Sequence, residues 1–215
     1  MRRKDKMKLA VVAANGKAGR LITEEAVNRG MDVTAVVRGE NKTVAQSAII
    51  KDLFDLTKED LADFDAVVNA YGSWAPDTAA TICDASMHLV DILRGTDKRL
   101  VIVGGAGSLY VNPEHTQTVV DVTPFPEEAM PVVNAHGKLL EELRKVDDVN
   151  WTYVSPAGDF QPEGERTGKY ILGGEELVLN SKGESVISYA DYAIAMVDEI
   201  ESGNHIKERI SVVSE

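Results

Sequence analysis

The chain carries a single cysteine, Cys83, so no internal disulfide can staple it. That fits a reducing, cytoplasmic setting. Long apolar runs are missing too, and nothing approaches the ~20 residues of a spanning helix. The basic start, Met1 to Lys6, leads into no apolar stretch of a signal peptide, so no membrane partner is expected. Positive charge is scarce: 23 Lys and Arg face 35 Asp and Glu, a net charge of −12. Such a surface repels polyanions, which excludes a general nucleic-acid binder. It does not exclude one nucleotide held by a local arginine and backbone dipoles. Acid-rich stretches such as 58–65, 141–148 and 198–201 read as solvated helix faces. Four histidines share no ligand spacing with Cys83 or clustered acids, so no metal site is expected. There is no repeat and no low-complexity tract.

What is present is an alternation of short apolar strands and amphipathic helices. The 215 residues are 44% hydrophobic, enough for one well-filled core and a single domain over 1–215, with 1–6 expected to be mobile. Strands are expected at 8–13, 32–37, 48–51, 66–69, 99–103, 151–155 and 210–213. Helices are expected at 17–29, 79–93, 135–146 and 189–200. Thr57 with Asp60 marks a short helix start, and Ser188 with Asp191 caps the last helix. Residues 156–174 read as irregular, and 177–179 with 186–188 as a small hairpin. Right-handed crossovers then give an α/β fold: a Rossmann doubly wound parallel sheet, strand order 3-2-1-4-5-6, with a short C-terminal strand. Ligands of such sheets sit at the carboxyl ends of the strands. A homo-oligomer is left open.

The sharpest local signal is Leu9 to Gly19. An apolar run stops at a small-residue turn, Ala13-Ala-Asn-Gly16, and a helix begins at once. A diphosphate needs that order: a buried strand, a tight turn and free helix N–H groups.

With Val37-Arg38, Asn69-Ala-Tyr-Gly72, Val103-Gly-Gly-Ala-Gly-Ser108 and Trp151-Thr-Tyr-Val-Ser-Pro156 following in order, the chain resembles an atypical short-chain dehydrogenase/reductase. The likeness is to its NAD(P)-binding, NmrA-like and flavin/biliverdin-reductase-like members, over nearly the whole chain. The family turn is Gly-x-x-Gly-x-x-Gly; here Gly16 and Gly19 match and Ala13 replaces the first glycine. If the position needs positive φ, that Cβ costs about 1 kcal/mol.

The resemblance implies a coenzyme site at Ala13, Asn15, Gly16, Lys17, Ala18 and Gly19. Arg38 suits a 2′-phosphate, so NADP(H) is favoured over NAD(H). Asp52 and Leu53 match the adenine contact, although Asp52 reads equally as a loop or helix-entry residue. Asn69, Ala70, Tyr71 and Gly72 line the ribose and diphosphate, and Pro156 and Ala157 lie beside the nicotinamide.

Hydride transfer also calls for a partner side chain. Family members use a Ser and a Tyr-x-x-x-Lys pair. Ser108 and Lys138 are the candidate catalytic residues, but Asn134 stands where the tyrosine would be. Lys138 reads equally as a ribose contact or an exposed helix lysine. Other candidate donors are Tyr71, Tyr110, His115 and His136. The segment 109–131 is long enough to cover a ligand, with Tyr110 and Phe125 as ring-stacking candidates. Two functions follow: a reductase of flavins, quinones or small carbonyls, which are small-molecule substrates, or an NADP(H)-sensing protein that turns nothing over.

Overall fold

A computed structural model describes residues 6–215. Except for Lys6, the expectation for the first six residues lies outside the described residues. The first half runs β1 (Lys8–Val12), α1 (Lys17–Asn28), β2 (Asp32–Val37), β3 (Ser47–Ile50) and β4 (Ala66–Asn69). It continues through α2 (Thr81–Leu93), β5 (Arg99–Val103), α3 (Val119–Val122), α4 (Met130–Leu143) and β6 (Asn150–Ser155). The last third holds β7 (Asp159–Gln161), β8 (Tyr170–Gly173), β9 (Val186–Ser188), α5 (Tyr189–Ser202) and β10 (Glu208–Ser214).

Eight strands form the main sheet in the order β3-β2-β1-β4-β5-β6-β10-β8. The expected 3-2-1-4-5-6 order is present, and β10 extends it in parallel beside β6. β8 closes that edge antiparallel. The two faces of β1 show why the sheet is doubly wound. Leu9 and Val11 pack with Ile22 and Ala26 of α1 and Ala193 and Val197 of α5. Ala10 and Val12 belong to the opposite core, with Leu89 of α2 and Leu139 of α4. A strand buried on both faces reads as a continuous apolar run. Gly30 ends the first helix region with φ +81, a conformation that costs glycine little.

Several expectations change. The 177–179 segment forms no strand, and β9 pairs in parallel with β7 instead of closing a hairpin. Residues 156–174 are therefore not wholly irregular, since they contain β7 and β8. Thr57 and Asp60 do exchange capping hydrogen bonds, yet only turns follow, with Leu61 drawn into the core. α4 starts five residues earlier than its apolar period suggests, with Pro131 in its first turn, where a missing N–H costs nothing. Ser188 caps α5 through the Asp191 N–H, but the buried Asp191 carboxylate is used elsewhere. It accepts from the Thr167 and Gly168 N–H groups and ties down the 162–169 loop. The long 109–131 segment holds α3, capped by Thr118 and Asp121, and a bridge from Tyr110 to Thr118 and Glu176.

No helix among the described residues is long and apolar enough to cross a membrane.

Candidate functional site

Two cavities open along the carboxyl edge of the sheet. The first has a volume of about 480 Å³ and lies over the ends of β2, β1 and β4. Its floor is the turn between β1 and α1. Ala13 adopts φ +58 there, so the position does require the left-handed region, and its Cβ carries the strain anticipated above. The Gly16 N–H closes the turn onto the Ala13 carbonyl at 3.0 Å. Gly19 is needed for a different reason: a Cβ there would meet the Ala13 oxygen at 2.5 Å and the Ala14 Cα at 2.9 Å.

The α1 N-terminus beside this turn has no side-chain cap and no acid in its first turn; Lys17 occupies the first position. A helix dipole alone favours carboxylates at that place. An uncapped, acid-free start leaves its N–H groups for an external anion.

Around the turn, the cavity gathers Ala13, Asn15, Gly16, Arg38, Asp52, Leu53, Ala70, Tyr71 and Gly72, all anticipated from sequence. It also includes Gly39, Lys51 and Phe54, which were not. Lys51 is paired with Asp60 at 2.7 Å, and half-exposed Phe54 follows Leu53 directly. The Asp52 carboxylate accepts from the Phe54 N–H and caps a single 3-10 turn, as its helix-entry reading expects, and Asp52 also lines the cavity. The Asn15 amide is occupied by protein: it donates to the Glu40 carbonyl and accepts from the Lys42 N–H, each at 2.9 Å. Asn15 thus ties the turn to the loop that carries Arg38.

The other anticipated coenzyme residues lie outside the cavity lining. Lys17 is exposed, Ala18 packs against the core, and Gly19 is buried behind the turn. Asn69 is buried; its side chain donates to Ser86 and accepts from the Tyr71 N–H, which shapes the corner rather than facing it. Pro156 and Ala157 are buried, with Ala157 in the core, so their side chains serve packing.

The second cavity, about 350 Å³, lies between the 107–120 segment and α4. It brings together Ser108, Lys138, Tyr110 and Asn134. Phe125 lines neither cavity. Behind Ser108 lies Arg209 of β10, whose side chain is fully buried. Its guanidinium is paired with Glu175, which also pairs with Arg144 at 2.6 Å. Arg209 donates to the Ser108 carbonyl at 3.3 Å and approaches the Ser108 hydroxyl at 3.5 Å. Burial lowers its pKa, and the Glu175 carboxylate opposes that shift. Nothing in the local sequence marks Arg209; its partners are up to 101 residues away.

Between the cavities stands a third cluster. Tyr153 of β6 is buried, and its hydroxyl accepts the Gly105 N–H at 2.9 Å. It lies 3.3 Å from His136 Nδ1. Burial pushes the Tyr153 phenol up and the His136 imidazole down, the latter to about 4, so both are neutral near pH 7.

A doubly wound sheet with a small-residue corner at the start of its first helix defines a dinucleotide-binding protein. The NAD(P)H-binding family model matches residues 13–202, and the chain belongs to that family, in agreement with the atypical short-chain dehydrogenase/reductase motifs. It is 46% identical over 212 residues to the uncharacterized protein YwnB of Bacillus subtilis, covering 97% of this chain and 99% of that one. SP1627 of Streptococcus pneumoniae, provisionally described as an NADH-flavin reductase, is 54% identical with a TM-score of 0.94, covering 97% of this chain and 100% of that one. A Bacteroides thetaiotaomicron protein provisionally described as an epimerase is 33% identical with a TM-score of 0.83, covering 98% of both chains.

Proposed function

We propose that the chain is an NADP(H)-dependent reductase that passes hydride to a flavin, quinone or small carbonyl acceptor. The observation that carries this reading is one cavity lined both by the uncapped turn at Ala13–Gly16 and by Arg38. The turn suits a diphosphate, and an exposed arginine after β2 suits a 2′-phosphate. Asp52 and Leu53 would meet the adenine, Ala70 to Gly72 the ribose, and the backbone at Pro156 and Ala157 the nicotinamide. The SP1627 description supports the reductase class but names NADH; Arg38 argues for the phosphorylated coenzyme here. Ser108 and Lys138 on the second cavity are the candidate acceptor-side residues.

Fluorescence titration with NADPH and NADH tests the coenzyme, with tighter NADPH binding expected and Arg38→Glu reversing the order. NADPH oxidation is then followed with flavins, quinones and small aldehydes. A second reading has its own observation: Asn134, which has no labile phenolic proton, lines the second cavity beside Lys138. Tight NADPH binding with no oxidation by any acceptor would favour a coenzyme-sensing protein.

A further inference from the structure

On the reductase reading, hydride transfer puts charge on the oxygen of a carbonyl acceptor, and hydrogen-bond donors beyond the Asn134 amide would stabilise it. The cluster between the two cavities contains a side chain suited to that task. α4 lays His136 against the end of β5, where Gly105 has no side chain; a Cβ there would sit 3.0 Å from both Cβ and Cγ of His136. The Tyr153 hydroxyl accepts from the Gly105 amide and keeps one proton to donate. Its neighbours on that side are His136 Nδ1 and the His136 carbonyl, each at 3.3 Å. An imidazole that accepts at Nδ1 carries its proton on Nε2.

The Nε2 atom is open. It has no hydrogen-bond partner among the described residues. Nor is it one of the buried side-chain atoms without a partner, which there are Thr23 Oγ1 and Arg99 Nε alone. It therefore keeps some accessible surface, although His136 itself lines neither cavity. Its place along the sheet also fits. The first cavity covers the ends of β2, β1 and β4. The next strand is β5, whose Gly104–Gly105 corner lies under His136, and beyond it is β6 with Pro156 and Ala157.

We propose that His136 Nε2–H is a hydrogen-bond donor to the reducible oxygen of a quinone-type acceptor, and that Tyr153 is the positioning residue that fixes its tautomer. This rests on the reductase reading above. When bound, the reduced nicotinamide supplies hydride and is itself oxidised. The quinone gains that hydride and becomes a hydroquinone monoanion. His136 holds the charged oxygen by a hydrogen bond and keeps its own proton; water supplies the proton that completes the hydroquinone. The low imidazole pKa is consistent with this role, because a neutral ring is a donor on one nitrogen and an acceptor on the other.

The test uses the full chain in three variants: His136→Ala, His136→Gln and Tyr153→Phe. Nitrogen NMR of histidine-labelled wild type should show Nε2 protonated and Nδ1 bare near pH 7, and Tyr153→Phe should mix the two tautomers. With NADPH and menadione, His136→Ala should lower kcat about tenfold to a hundredfold at unchanged NADPH affinity. His136→Gln, whose amide can still donate, should recover part of that loss. A proton found on Nδ1 in the wild type overturns the proposal, as does His136→Ala turnover within twofold of wild type. If the wild type binds NADPH but no acceptor oxidises it, the reductase reading falls, and this inference falls with it.

Discussion

The two cavities on the carboxyl edge are constructed in opposite ways. The first is made of corners that each follow directly from a strand: Val12 to Gly16, Val37 to Gly39 and Ala70 to Gly72. Main chain and small side chains shape most of its wall. The second is made of pieces far apart in the chain. Segment 107–120 lies across α4 and is backed by Arg209 from the last strand, with Glu175 and Arg144 completing the charge cluster. A cavity built from corners tolerates many side-chain changes but not an added Cβ at a close approach. A cavity built from side chains depends on buried charge remaining paired. Each kind of damage should therefore stay on its own side of the sheet.

The largest effect is expected from Arg209→Met. It removes a fully buried cation and leaves the Ser108 and Glu175 carbonyls without their donor. Half-exposed Glu175 retains Arg144, so the loss is held to about 2 to 3 kcal/mol, roughly 5–10 °C in Tm. Thermal melts measure it, and NADPH affinity of the folded variant should be unchanged. An equal loss of NADPH affinity would break the comparison.

Gly19→Ala acts on the other side. Its Cβ meets backbone rather than a flexible side chain, so relief requires moving the turn. About 2 kcal/mol of stability should go, with NADPH binding weakened about tenfold or more. The tautomer signal of His136 should not move.

Acid should probe the cluster between the cavities. His136 titrates near 4 when folded against 6.5 when free, so the unfolded chain binds more protons between those values. Stability from this group is complete above about pH 6.5 and is lost as the pH falls toward 4, by about 1 to 2 kcal/mol at pH 5. Urea melts of the wild type and His136→Gln at pH 7 and pH 5 measure the difference, and the variant should show a flatter acid limb.

The smallest effect sharpens the reading of the first cavity. Ala13→Gly removes the cost of φ +58 but gives the unfolded chain more freedom, so net stability should rise by less than ~1 kcal/mol. NADPH binding should tighten by a few-fold. Weaker binding would show that the Ala13 methyl, which lines the cavity, helps hold the coenzyme.

Much of this was legible before any coordinates. The strands from β1 to β6 follow from apolar runs bounded by Gly, Asn and Asp, and the first cavity follows from what those corners carry. The errors fall where a local rule met a stronger tertiary one. Thr57 and Asp60 form a capping pair without a helix behind it, because the chain turns inward to bury Leu61. Val186 to Ser188 has strand character but found β7 as its partner, which no pattern in 177–179 could reveal. Asp191 sits where a helix-capping acid belongs, yet its carboxylate anchors a distant loop. Ser108 and Lys138 were named by resemblance; their meeting on one cavity is a property of the folded chain.

The sequence by itself determined the order of the first six strands, the doubly wound topology and the corner suited to a dinucleotide. These depend on side-chain period, small residues at turns and the right-handed crossover, none of which reaches beyond one strand–helix–strand unit. Only the tertiary structure decided the sign of φ at Ala13, the burial of Arg209 behind Ser108 and the neutral His136 beside Tyr153. Backbone strain and desolvation are set by what packs around a residue, and those neighbours arrive from strands and loops that the linear chain keeps far apart.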